Sequence, residues 1–230
     1  MDSESSSIIW TDNKPPSGVW AIVLAAGAGS RFGGGKLLAK LNDMPLVEHV
    51  LVALEASPVE ETVVVVGSGA GRLREVCEPY GVRVVENQEW TRGQSTSVRA
   101  GLRALAPEAR AVVVLLADQP LVGAGAVGRL VEAFERGAKV AVATYGGRPR
   151  NPVLFSRELW PLLEAELSGD EGARPFLRRH PELVARVPCE GVGDPADVDT
   201  AEDLRRLEEM RAKAQLRKHS SKVGQKEENS

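Results

Sequence analysis

Runs of Val, Ala, Leu and Ile recur along this chain at 19–24, 62–66, 110–116 and 139–144, with a further strand candidate at 82–86. Several are apolar almost throughout rather than alternating, which is the pattern of strands covered on both faces. Helical patterns over 45–56, 70–79, 95–105 and 123–136 fall between them. Strand and helix in alternation build βαβ units and a mostly parallel sheet, so an α/β fold is expected. Hydrophobic residues make up 43% of the 230 and aromatics only 4%, so the core must come from Val, Leu and Ala.

Beyond residue 145 the pattern changes. Shorter strands are expected at 152–155 and 183–188, around a helical stretch near 170–179, and Asp197-Val198-Asp199 reads as a short final strand. Thr200 or Asp199 would then cap a helix beginning Ala201-Glu202-Asp203-Leu204, whose acids suit the first turn. One domain over 18–215 is expected, divided near 145 into two halves. Polar tails flank it at 1–17 and 216–230 and read as disordered. The tail cations Arg217, Lys218, Lys222 and Lys226 read as a solvated surface. A net charge of −3 argues against a general nucleic-acid surface. No apolar run reaches the roughly 18 residues of a membrane span, and the N-terminus lacks a signal-peptide pattern. Cys77 and Cys189 are far apart in sequence, which fits a cytoplasmic location without a disulfide or zinc framework. His49, His180 and His219 show no ligand spacing.

The first apolar run leads directly into Leu24-Ala25-Ala26-Gly27-Ala28-Gly29-Ser30-Arg31-Phe32-Gly33-Gly34-Gly35-Lys36. A glycine-rich segment lets backbone N–H groups approach an anion, and Arg31 and Lys36 add two cations, so the loop reads as a phosphate cradle. It fails the dinucleotide count G-x-G-x-x-G, because Phe32 stands at the third glycine. It also fails the P-loop count, because Ser30 stands at the first glycine and Leu37 at the final hydroxyl. A second cluster, Gly67-Ser68-Gly69-Ala70-Gly71, fails at Arg72 and reads as a strand-to-helix turn.

The pattern that fits is L-A-A-G-x-G-x-R-x-G-x-x-K. It resembles the signature of the MobA-like NTP transferases, and within them molybdenum cofactor cytidylyltransferase and its relatives. Four further segments over about residues 19–207 support the resemblance. Leu116-Ala117-Asp118-Gln119-Pro120 puts a carboxylate just past a buried strand, where it could hold Mg²⁺ or close a turn. At Asp197-Val198-Asp199 either acid could complete the site with Asp118. Residues 87–101 supply Gln94, Ser95 and Ser97 at a helix start, where they look like contacts to base and ribose, or where Ser95 caps the helix. On the acceptor side stand Asn151-Pro152 in Gly146–Phe155, and Asp170, Gly172 and Arg174 in Gly169–Arg174. A β-turn at Gly146-Gly147 and a capping Asp170 are the plain alternatives. Asn151 occupies a position where relatives often carry His, and it cannot titrate.

The resemblance implies a three-layer, Rossmann-like, glycosyltransferase-A-like fold with a mostly parallel mixed sheet. Its first half, about 18–145, would bind nucleotide through Leu24, Ala25, Ala26, Gly27, Gly29, Ser30, Arg31 and Lys36, and its second, about 146–215, the acceptor. It implies Mg²⁺ on Asp118 with Asp199 or Asp197, and Lys36, Arg31 and Asp118 as the catalytic groups. The expected reaction moves CMP from CTP onto a phosphorylated acceptor, molybdopterin, with a molybdoenzyme as client. The alternatives are GTP as donor, another phosphorylated small molecule as acceptor, an oxidoreductase, or a non-catalytic nucleotide-binding module.

Overall fold

A computed structural model describes residues 17–27, 29–67, 70–210 and 212. The expected tails lie outside these residues except for Ser17, which is buried and donates its hydroxyl to Pro58 O at 2.9 Å. His219 also lies outside them.

The strands are β1 Val19–Ala25, β2 Lys40–Leu41, β3 Met44–Pro45, β4 Glu61–Val66, β5 Arg83–Glu86, β6 Ala111–Leu116, β7 Val140–Tyr145, β8 Arg148–Ser156 and β9 Val184–Pro188. The helices are α1 Leu46–Glu55, α2 Ala70–Cys77, α3 Gln94–Ala104, α4 Ala124–Glu135, α5 Trp160–Glu166, α6 Arg174–Arg179 and α7 over 201–210. Seven strands form one sheet in the order β5-β4-β1-β6-β8-β7-β9. β5, β4, β1 and β6 run parallel, β8 is antiparallel to both β6 and β7, and β9 is parallel to β7.

The solid apolar runs have the expected cause. Along β1, Val19, Ala21, Val23 and Ala25 join a core with α1, α2 and α4, while Trp20 and Ile22 join a second core with α3, α5 and α6. Both faces of the sheet are therefore dry, and the fold has three layers. A smaller third cluster, Leu41, Leu46, Val198 and Leu207, ties α7 and Val198 to β2 and the start of α1.

Chain order reverses around β1: the strands step outward to β4 and β5, and then β6 returns to its other side. Open α/β sheets bind ligands at such a reversal, beyond the carboxyl ends of the strands. The glycine loop and Asp118 both emerge there. Two expectations fail. Residues 197–199 are not a strand and lie in an irregular segment. The helix α5 has no counterpart in the expected elements, because its seven residues are too short for a clear helical period. At the other end of the second half, Gly146-Gly147 forms the β7–β8 turn, and Glu190 accepts the Gly146 N–H at 2.7 Å.

Candidate active site

Lys36 sits at the centre of a charged cluster. Its Nζ donates to Asp118 Oδ2 at 2.7 Å and to Asp199 Oδ1 at 3.1 Å, although these residues are 82 and 163 positions away in sequence. Burial pulls the Lys36 pKa down, but the two carboxylates, Asp118 foremost, outweigh it and leave the value raised. The lysine therefore stays charged and separates two acids that would otherwise repel. Arg31 approaches Asp199 at 3.6 Å with its side chain 79% exposed, a loose pair that contributes little to stability. Asp118 is held by its position: Ala117 N–H donates to Leu24 O at 3.1 Å, which fastens the end of β6 to the end of β1. Thr200 caps α7 in a reciprocal box, its hydroxyl accepting from Asp203 N–H at 3.1 Å while Asp203 accepts from Thr200 N–H at 2.8 Å. Asp199 is thus spared that task and faces Lys36.

The donor set suits a divalent cation. Asp118 Oδ1 is buried and has no hydrogen-bond partner among the described residues. Hard carboxylate oxygens are what Mg²⁺ takes. Among the described residues no group of three or more His, Cys, Asp or Glu is gathered tightly enough to hold a metal alone. An ion at Asp118 and Asp199 would therefore draw its remaining oxygens from phosphate and water.

The glycine loop is more tightly wound than an open cradle. Gly29, Gly33, Gly34 and Gly35 all take positive φ, and Phe32 and Gly34 N–H both turn back onto Gly29 O at 2.9 and 3.2 Å. Some of the expected anion donors are thus spent inside the loop. The winding brings Gly29 against Lys36, with 3.0 Å from a Cβ built on Gly29 to Lys36 Cβ, and points the lysine at Asp118.

Beside this cluster lies a cleft of about 280 Å³ lined by Leu24, Ala26, Gly27, Trp90, Thr91, Gln94, Ser97 and Asp170. Its wall is a rigid polar knot. Buried Asn87 donates to Thr96 Oγ1 at 2.8 Å and Ser97 Oγ at 3.0 Å, and accepts Glu89 N–H at 3.0 Å. Close approaches finish it. A Cβ on Gly67 would lie 2.7 Å from Trp90 Cγ, so only glycine lets the indole come this close to the end of β4. Gly93, at φ 112° and ψ 168°, would meet the Gly169 backbone at 2.6 Å. A narrower slot of about 30 Å³ adjoins the cleft and shares Leu24 and Gln94 with it.

The family model of the MobA-like NTP transferase domain matches residues 21–184, which span every strand of the sheet except the remainder of β1 and β9 at its ends. The chain belongs to the MobA-like NTP transferase family. It is similar to "Nicotine blue oxidoreductase" of Paenarthrobacter nicotinovorans, 35% identical over 199 residues, covering 82% of this chain and 96% of that protein. Among solved structures it resembles the homologue of Mycobacterium tuberculosis rv0371c from mycobacterium sp. strain JC1, with TM-score 0.76 and 31% identity over 87% of this chain and 100% of that one. Rv0371C of M. tuberculosis H37Rv, solved as a complex with manganese, matches with TM-score 0.70 and 28% identity over 83% of this chain and 98% of that one.

Within this MobA-like chain the expected site residues sort unevenly. Lys36, Asp118, Asp199 and Arg31 come together. Leu24, Ala26, Gly27, Gln94 and Ser97 line the cleft. Ala25 does not: strand alternation turns it into the core, 1% exposed. Ser95 is buried as well and neither lines the cleft nor caps α3, whose N-cap is Gly93. Ser30 lies exposed in the loop. Asp197 faces Gln119, not Lys36. On the acceptor side, Asn151 and Arg174 line the slot with Val153 and Phe155, and Pro152 is buried in β8 beside Asn151. Asp170 lies across the seam, in the cleft rather than the slot, and Gly172 packs against the Gln94 amide. Trp90, Thr91 and Gly67 were missed as site residues. Trp90 stands in an Asn87-x-x-Trp90-x-x-Gly93 spacing that could have marked it, whereas Gly67 becomes meaningful only through its contact. Both cysteines are free and buried, and burial pushes each thiol up to about 11, so neither is a nucleophile.

Proposed function

We propose that this protein is a nucleotidyltransferase that moves a nucleoside monophosphate, CMP from CTP, onto a phosphorylated acceptor of the molybdopterin kind and releases pyrophosphate. The observation that carries this reading is Lys36 bridging Asp118 and Asp199 at the strand ends, beside a cleft with a Trp wall. A phosphate monoester is already ionised at neutral pH, so the acceptor needs no strong base. Catalysis reduces to positioning and charge neutralisation. Lys36 and Arg31 would draw negative charge toward the leaving pyrophosphate. Leu24, Ala26, Gly27, Gln94, Ser97 and Trp90 would hold the nucleoside, and Asn151 and Arg174 the acceptor. Mg²⁺, held by Asp118 and Asp199, would supply Lewis-acid neutralisation of the phosphates. The Ala25-Ala26 pair supports CTP over GTP through the resemblance. A cytoplasmic location is proposed on the two distant, free cysteines; no helix of the described residues is long and apolar enough to cross a membrane.

A screen of the four NTPs against phosphorylated acceptors, reading pyrophosphate release, tests the reading. CTP with molybdopterin should give the fastest release, and Asp118→Asn should remove the Mg²⁺-dependent activity. Nucleotide binding without pyrophosphate release for any NTP–acceptor pair would overturn it in favour of a non-catalytic module. The relative named an oxidoreductase makes a second assay worthwhile: oxidation of reduced nicotinamide cofactors. The failed dinucleotide counts lead us to expect none.

A further inference from the structure

Residues 194–199 carry an acid to the active site without any regular structure to hold them. Three anchors fasten the segment to the loop after β6. Asp194 N–H donates to Leu121 O at 2.9 Å, and Val198 N–H donates to Asp118 O at 2.9 Å. Between them, Gln119 Nε2 donates to Pro195 O at 3.2 Å and to Asp197 Oδ1 at 2.7 Å. Gln119 is only 3% exposed, and its Oε1 is buried with no partner among the described residues. A buried, half-satisfied amide is costly, and an apolar side chain would fill the space without that penalty. What the amide adds is its two donors. Below it, Val198 is fully buried among Leu41, Leu46 and Leu207, so the residue after it lands on Lys36.

We infer that Gln119 is a positioning residue: it clamps the 194–198 segment through Pro195 and Asp197, so that Asp199 and not Asp197 completes the pair facing Lys36. Its relevance to turnover rests on the nucleotidyl-transfer reading, whereas the clamp itself is independent of it. Asp197 then acts as a hydrogen-bond acceptor, and its charge is dispensable. Outer partners of this kind change metal affinity about 10–100-fold when removed.

Two measurements on the full chain decide it: amide exchange at Val198, and binding of Mn²⁺ in the presence of CTP. Gln119→Leu keeps the volume and removes the donors; exchange at Val198 should rise about tenfold and Mn²⁺ affinity fall by about the same factor. Gln119→Glu, which sets a carboxylate against Asp197, should do at least as much. Asp197→Asn keeps an acceptor oxygen for Gln119 and should stay close to the parent in both readouts. The double variant Gln119→Glu with Asp197→Asn reverses the donor direction between residues 119 and 197 but leaves Pro195 O without a donor, so it should recover part of the loss. Unchanged exchange in Gln119→Leu would overturn the clamp, as would a double variant no better than Gln119→Glu. Loss of Mn²⁺ binding in Asp197→Asn, as expected for Asp118→Asn, would make Asp197 the ligand and overturn the assignment. A parent protein that binds neither Mn²⁺ nor CTP would defeat the nucleotidyl-transfer reading, and Val198 exchange would still decide the clamp.

Discussion

The two walls of the site are built from different materials. On one side, Lys36, Asp118 and Asp199 are drawn together by charge, across loops whose main chains are fastened to strand ends. On the other, the Trp90 cleft is neutral apart from Asp170 and is shaped by a buried Asn87 knot and by glycines pressed against neighbouring backbone. The charged wall has the means to stabilise a reaction, the cleft to choose what is held. Substitutions in each should therefore change different quantities.

The largest effect is expected from Lys36→Ala. Removing a preorganised cation aimed at developing charge typically lowers turnover about 10²–10³-fold. Here it also leaves Asp118 and Asp199 facing one another with only the loose, exposed Arg31–Asp199 pair to offset their charge. Pyrophosphate release should collapse while circular dichroism stays unchanged. Wild-type turnover in the variant would remove the charged wall from the chemistry altogether.

Gly93→Ala tests the other wall by shape. At φ 112° and ψ 168° the backbone is in a region nearly restricted to glycine, and the new methyl would meet Gly169 at 2.6 Å. Strain and overpacking together should cost about 3–5 kcal/mol, read as a lowered denaturant midpoint. Gly34→Ala in the phosphate loop, also at positive φ but with nothing within 4 Å, should cost only about 1–2 kcal/mol. Equal losses would mean that the cleft is no more tightly built than the loop.

Trp90→Leu separates holding from reacting. Stacking of a base on an aromatic ring is worth about 1–3 kcal/mol, so KM for the nucleotide should rise roughly five- to 150-fold with kcat nearly unchanged. A fall in kcat with constant KM would erase the division between the walls.

The same division explains what was legible in the sequence. Strands buried on both faces announce themselves by solid Val runs, so β1, β4, β6 and β7 were expected to within a residue or two. Charged site residues are also visible, because Asp118 closely follows the solid strand β6 and Lys36 closes the glycine loop that leaves β1. Contacts are not. Ala25 and Ala26 look equivalent in a motif, yet strand alternation sends one to the core and the other to the cleft. Asp197 and Asp199 looked alike because an extended segment would point them the same way. The chain there is irregular, and a side-chain amide from Gln119 breaks the symmetry. The resemblance of Gly169–Arg174 gives Asp170 to the acceptor, whereas the close approach of Gly93 and Gly169 puts it in the cleft.

The smallest expected effect concerns how the acceptor side is held. Its segment from 166 to 180 is fastened by exposed pairs, Arg178–Glu171 at 2.8 Å and Arg179–Glu166 at 2.7 Å, and by His180 Nε2 at 2.9 Å from Glu166. The Glu166 hydrogen bond, aided by Glu182, raises the His180 pKa above its usual 6.5 against the opposing effect of desolvation. The same bond, with help from Arg179, lowers the Glu166 pKa below 4.5. A raised histidine contributes fully below about pH 6.5 and loses its contribution as pH rises through its folded value. A lowered carboxylate contributes above about pH 4.5 and loses its contribution as pH falls through its folded value. Between those limits the segment is held best. Raising pH from 6 to 8.5 should therefore increase amide exchange over 166–180, corrected for the intrinsic rate, and leave 113–117 unaffected. His180→Gln should flatten that pH dependence. Lys36, whose raised pKa keeps it charged throughout this range, supplies the contrast. If the strand end at Asp118 loosened in step with the 166–180 segment, the two walls would be one cooperative unit, and the separation of reacting from holding would have no structural basis.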